Sequence, residues 1–196
     1  MLNRIRTSLR DSLLVKQALL EDEALQAELA RAAERCAAVL RDKGRVLFCG
    51  NGGSAADAQH LAAELSGRFY LDRRPLDAEA LHVNSSYLTA VANDFGYEHV
   101  FARAILAKGR SGDALLAFST SGNSPNVLRA VEAAHGLGMH TIAFTGRNPG
   151  QMGQLPCAHL FAMPSDDTPR IQEGHLLLGH ILCELVEDML FGAGRG

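Results

Sequence analysis

The sequence predicts an α/β protein in which helices cover both faces of a parallel sheet and a helical segment comes first. Three observations carry this. Short apolar runs without polar alternation recur after Arg45, as buried parallel strands do. Helix-length amphipathic segments separate most of them, the mark of a sheet built from crossover units. Residues 3 to about 42 carry apolar side chains at helical spacing before any strand begins.

In that first stretch Leu13, Leu14 and Ala18, then Leu25, Leu29, Ala33 and Val39, recur at steps of three, four and six with charges between them. Glu21-Asp22-Glu23 predicts a break or fresh start. Two helices ahead of the first strand must bury their apolar stripes, either on the domain or against the same helices of a second subunit. The second arrangement is favoured, because nothing else in the chain is left unpaired to receive them. Strands are expected at Val46–Cys49, Ala80–Val83, Ala114–Phe118, Thr141–Phe144 and Leu160–Met163. Helices are expected at 54–66, at 86–92 with 97–107, at 124–137, and from about Pro169 to Leu190. No internal repeat, low-complexity tract or linker divides the chain.

The length of 196 residues suits one domain, and an apolar content of 47% is enough for a full core. A net charge of −3 gives no electrostatic reason to bind nucleic acid or an anionic membrane. Cys36, Cys49, Cys157 and Cys183 form no CxxC pair, so they read as buried, reduced thiols rather than a disulfide framework or a cysteine zinc site. No apolar run reaches the ~18–20 residues that span a bilayer, and Met1-Leu2-Asn3-Arg4 leads into a charged helix rather than a signal peptide. A cytoplasmic protein is expected.

In open parallel sheets, ligands bind outside the carboxyl ends of the strands. The first strand ends in Gly50-Asn51-Gly52-Gly53-Ser54, with Ser54 a candidate N-cap and Asp57 three residues on, an approximate capping box. The glycines let a ligand approach the backbone closely. The third strand ends in Ser119-Thr120-Ser121-Gly122-Asn123-Ser124-Pro125, with Ser124 as N-cap and Pro125 at the first helical position. Four hydroxyls crowd a helix mouth whose unpaired N–H groups and dipole favour an anion. Serines and glycines also simply cap helices and turn chains. Capping needs only one hydroxyl per helix, however, so two such loops at the strand ends of one sheet read as a phosphate cradle that needs no lysine. Gly50, Gly52 and Ala55 also fit the loose dinucleotide pattern, but the second strand ends in Val83-Asn84-Ser85 without the carboxylate that would hold a ribose. A nicotinamide enzyme is not expected.

His60 and Glu64 stand four apart on the helix after the glycine loop and share one face. Such pairs are commonly surface ion pairs. Here Ala56, Leu61, Ala62, Ala63 and Leu65 make the segment mostly apolar, and a carboxylate desolvated there suits general-base work. On the last helix Gln172 and His180 lie eight apart, ~12 Å along the axis, while His175 faces another surface. Imidazole with carboxylate also suits zinc. Gln172 and His180 would share one ion only if their side chains converge or different subunits supply them. The residues support acid/base chemistry better than a metal.

With these residues in view the chain resembles the sugar isomerase (SIS) domain family and, within it, the phosphoheptose isomerases. The resemblance rests on GNGGSAADAQHLAAELSGR, AVANDFGYEHVFAR, STSGNSPNV and TPRIQEGHLLLGHIL, and it covers nearly the whole chain. It implies a three-layer fold with a five-stranded parallel sheet, an SIS domain over 43–196 behind an oligomerising helical segment over 1–42, and a homotetramer with active sites at subunit interfaces. It implies conversion of sedoheptulose 7-phosphate to D-glycero-D-manno-heptose 7-phosphate for lipopolysaccharide or other heptosides. By the same resemblance Ser54, Ser119, Ser121 and Ser124 hold phosphate, Thr120 lines that loop, and Asn51, Gly52, Gly53, Asn93, Asp94 and Gln172 line the substrate site. Glu64 is then the base and His180 its partner. In members that carry zinc, the ligands match His60, Glu64, Gln172 and His180. The family also holds a non-enzymatic relative that binds the replication initiator. It has the phosphate loops without the acid/base set, and the presence of His60, Glu64 and His180 here favours catalysis over that binding role or phosphosugar sensing. Gly174 and Gly179 inside the last helix imply a close helix–helix approach, which an interface between subunits would explain.

Overall fold

The computed structural model describes residues 1–192. Helices α1 (Leu2–Glu21) and α2 (Glu23–Arg41) come first. The expected break falls at Asp22, whose carboxylate accepts a hydrogen bond from the Leu25 N–H at 2.9 Å and so caps α2. Then follow β1 (Val46–Cys49), α3 (Gly53–Ser66), β2 (Ala78–Ala80), α4 (Ser85–Phe95) and α5 (Val100–Lys108). The chain continues through β3 (Ala114–Ser119), α6 (Pro125–Gly136), β4 (His140–Thr145), β5 (His159–Ala162) and α7 (Thr168–Phe191).

The strands form one five-stranded sheet in the order β2-β1-β3-β4-β5, with every pairing parallel. Its two faces build two cores, because successive side chains of a strand point to opposite sides. Val46, Phe48, Leu116 and Phe118 face α2, α3 and α7, while Leu47, Cys49, Leu115 and Ala117 face α5 and α6. The order reverses at β1/β3, so the loops after β1 and β3 leave the sheet side by side. This is where an open α/β sheet places its ligand.

Two expectations shift. The second strand lies earlier than Ala80–Val83, at Ala78–Ala80, because it is a short edge strand and Asn84 already caps α4 by accepting from the Tyr87 N–H. The stripe of α2 is not held for a second subunit: Leu29, Ala32, Ala33, Cys36 and Val39 are buried in the same core as α7. Helix α1 keeps an uncovered apolar face, with Leu2, Ile5, Leu9, Leu13, Leu14 and Leu20 exposed.

Gly179 needs no interface either. A Cβ there would collide with the Leu61 side chain of α3, so the missing side chain is what lets α3 and α7 touch. All four cysteines are free; Cys36, Cys49 and Cys183 are buried and Cys157 is partly exposed. Burial pushes the Cys36 thiol up to about 12, which leaves it unreactive. No helix among the described residues is long and apolar enough to cross a membrane.

Candidate active site

The glycine loop turns on Gly52, whose φ of 55° is a left-handed conformation that costs glycine little. Gly52, not Ser54, occupies the N-cap of α3, and its carbonyl accepts from Ala55 and Ala56. Ser54 therefore sits inside the first turn and is buried. The expected capping box does not form. Asp57 instead lies half-buried with one carboxylate oxygen unpartnered, and burial pushes its pKa up to about 6 against the pull of His60.

Ser124 does take the N-cap position of α6, but its hydroxyl is not used to cap. It accepts from the Ser119 hydroxyl at 3.1 Å. The Val127 N–H is satisfied by the Asn126 side chain, and the Val127 and Leu128 N–H groups by the Ser124 carbonyl. The Ser119 and Ser124 hydroxyls thus bond to each other rather than to the helix backbone, which leaves them beside a helix N-terminus of the kind that favours an anion. Ser121 accepts from the Asn123 N–H at 3.2 Å. Thr120 and Ser121 border a cavity of about 250 Å³ with Gly146, Arg147, Asn148 and Thr168.

Asn51 and Asn126 join the two loops. Each amide nitrogen donates to the other's oxygen at 2.8 Å. The Tyr97 hydroxyl adds a bond to Asn51 Oδ1 at 3.3 Å. Asn126 is buried and carries no hydroxyl or charge, so nothing in the sequence distinguished it from any polar residue in a first helical turn. Asn93 and Asp94 are exposed at the end of α4, where Asn93 donates to Asp94 at 2.9 Å.

The residues expected to carry acid/base chemistry converge from α3 and α7. His60 Nε2 lies 3.0 Å from Glu64 Oε1 and 2.9 Å from His180 Nε2. One donor atom from each of the three residues falls within 4.8 Å of the others, a geometry able to hold a metal ion. Burial holds the His180 pKa below its ordinary value, the neighbouring His60 adds to this, and Glu64 opposes it. The apolar segment around Glu64 does not enclose the pair within one chain, since the His60 side chain is 48% exposed and that of Glu64 24%.

Gln172 is not part of this cluster. It lies two turns earlier on α7, ~12 Å along the axis, with its amide packed against Gly53 at the glycine loop. His175 faces away from the cluster, as expected, and into the core, its Nε2 3.0 Å from the Thr145 carbonyl between Phe118 and Phe144.

A family model described as the SIS domain matches residues 14–146. The phosphoheptose isomerase of Aquifex aeolicus is 50% identical over 190 residues, covering 97% of this chain and 98% of the relative. That of Burkholderia pseudomallei (strain K96243) is 49% identical over 191 residues, covering 97% and 96%. The chain belongs to the phosphoheptose isomerases, within the SIS domain family. A solved structure of the phosphoheptose isomerase from Neisseria gonorrhoeae superposes with a TM-score of 0.89 at 42% identity, covering 95% of this chain and 98% of that one. Membership makes the chain an isomerase.

Proposed function

We propose that the chain interconverts sedoheptulose 7-phosphate and D-glycero-D-manno-heptose 7-phosphate through an enediol(ate), in the cytoplasm, as a step towards heptose-containing glycans such as lipopolysaccharide. The observation that carries this reading is the convergence of His60, Glu64 and His180 on two packed helices. Relatives half identical over nearly the full length are phosphoheptose isomerases, which supports the choice of a heptose phosphate.

The sugar phosphate docks with its phosphate among Ser54, Ser119, Ser121 and Ser124, where hydroxyls, backbone N–H groups and the α6 dipole stabilise it. Thr120 lines the same loop. Asn51, Gly52, Gly53, Asn93, Asp94 and Gln172 line the path from the phosphate to the reacting carbons. Glu64 removes a proton from C1 of the ketose and delivers it to C2. His180 protonates the oxygen on C2 and accepts the proton from the oxygen on C1, so that no net proton is gained or lost.

His60, Glu64 and His180 have the nitrogen and oxygen donors that suit zinc, and a zinc ion held by them would polarise the sugar carbonyl. With Oε1 directed to His60, the second carboxylate oxygen of Glu64 is left for the proton. Gln172 would join the ligand set from a second copy of the chain. A homotetramer, with the helical segment 1–42 as its oligomerising part ahead of the SIS domain 43–196, would cover the exposed side of the cluster and the apolar face of α1.

A coupled assay comparing phosphorylated ketoses of five, six and seven carbons tests the reading. Turnover of the seven-carbon ketose well above the others is the expected result. Equal turnover of all three, or of a shorter sugar alone, would reject the heptose assignment.

A further inference from the structure

Arg73 and Glu187 form a buried ion pair, Nε to Oε1 at 2.8 Å, with side chains only 2% and 1% exposed. Glu187 also accepts from three successive backbone N–H groups, those of Phe69 at 3.1 Å, Tyr70 at 2.7 Å and Leu71 at 2.9 Å. Arg73 donates to the carbonyls of Leu65, Gly67 and Arg74, and its Nη2 donates to the carbonyl of Glu64 itself at 2.9 Å.

The Glu64 and Leu65 carbonyls belong to the last turn of α3, where backbone acceptors have no partner within the helix and a cation is favoured by the dipole. Glu187 stands on α7 seven residues after His180, two turns along and on the same face. The Phe69 backbone bonds to Glu187 while its ring stands 5.8 Å from the His180 ring. The residues thus close a circuit: Glu64 to Arg73, Arg73 to Glu187, Glu187 along α7 to His180, and His180 through His60 back to Glu64.

Burial pushes the Glu187 pKa up, but the three N–H donors and the Arg73 guanidinium outweigh it and hold the carboxyl below its ordinary value, so the pair is charged at neutral pH. A buried ion pair is a poor device for stability alone, since apolar residues of similar volume often serve as well or better. What it supplies here is direction, because a guanidinium and a carboxylate accept only particular geometries.

We propose that Arg73 and Glu187 are positioning residues that fix Glu64 against His180 for proton transfer and for holding a metal. The inference rests on the acid/base reading of that pair. Neither residue borders the phosphate loops, so their loss should affect the chemical step and leave anion binding alone.

The test uses the full-length protein and the variants Arg73→Lys and Glu187→Gln, each beside Glu64→Gln. Arg73→Lys keeps the charge but cannot fork to the carbonyls, and Glu187→Gln keeps the shape without the charge. The expected result is a kcat about 10- to 100-fold lower, the scale on which ångström-sized misplacement acts, with zinc affinity reduced and inorganic phosphate bound as by the wild type. Folded variants that melt earlier but keep wild-type kcat and zinc affinity would show a merely structural pair and overturn the proposal. Glu64→Gln separates the two claims: if it still turns over, the acid/base reading fails; if it is inactive while the clamp variants are fully active, only the clamp fails.

Discussion

His60 Nε2 faces His180 Nε2 at 2.9 Å, across two helices whose contact depends on a glycine. Two ring nitrogens at that distance accommodate one proton or one cation between them, not two protons. Metal binding requires neutral imidazoles, and the depression of the His180 pKa by burial and by His60 provides one. His60→Ala removes one of three donors. We expect it to lower zinc affinity at least ~10-fold, the scale seen when a metal site's surroundings are disturbed. Competition with a zinc chelator measures this, and wild-type zinc affinity in the variant would exclude His60 as a ligand.

Ser124 places its hydroxyl beside that of Ser119 rather than on the helix backbone. Ser124→Ala should raise KM about 10- to 100-fold, since a hydrogen bond to a charged group contributes ~1.5–3 kcal/mol. Because the reacting carbons lie away from the phosphate, kcat should change far less. Steady-state kinetics separate the two parameters, and an unchanged KM would remove Ser124 from the phosphate site.

Gly179→Ala should destabilise the fold. The added Cβ meets the side chain of Leu61, which is fully buried. Overpacking of this kind costs ~1–3 kcal/mol, more than the ~1 kcal/mol that alanine gains over glycine in a helix. A fall in Tm of about 2–6 °C is expected for a chain of this size. Thermal unfolding followed by circular dichroism measures it, and a rise in Tm would mean that the α3–α7 contact is looser than described.

His175 makes the fold acid-sensitive. Burial pushes its pKa down to about 4, the hydrogen bond to Thr145 opposing. Below its ordinary value the unfolded chain takes up a proton that the native state refuses. Its contribution is therefore intact above pH ~6.5 and is lost as pH falls towards ~4, amounting to about 3 kcal/mol. His175→Gln keeps a donor for the Thr145 carbonyl without the titration. Urea midpoints across this window should fall less steeply in the variant than in the wild type, and parallel slopes would contradict the assignment.

The central strands and both serine-and-glycine loops were legible in the sequence because their signals are local. Phe118 and its neighbours form an unbroken apolar run, and the serines and glycines follow it directly. His60 and Glu64 were legible as a pair because a helix places residues four apart on one face. What escaped was non-local or conformational. The N-cap of α3 fell on Gly52 because a positive φ is invisible in a glycine-rich stretch. The edge strand β2 is too short and too little buried to delimit. Arg73 and Glu187 are 114 positions apart and read as ordinary solvated charges until the fold buries them together. The amide pair of Asn51 and Asn126 was hidden for the same reason. Gln172 was readable as a ligand by resemblance, yet α7 places it two turns from the cluster, at the glycine loop.

The central claim is that Glu64 carries a proton between the two carbons of the sugar. Isomerisation of sedoheptulose 7-phosphate in heavy water, followed by NMR, tests it most directly. A carboxylate that exchanges with solvent during the enediol stage should leave deuterium on C2 of the aldose. Glu64→Gln should show neither turnover nor exchange, a loss of at least ~100-fold for removal of a general base, while still binding the sugar phosphate. Full turnover and deuterium incorporation by Glu64→Gln would contradict the account.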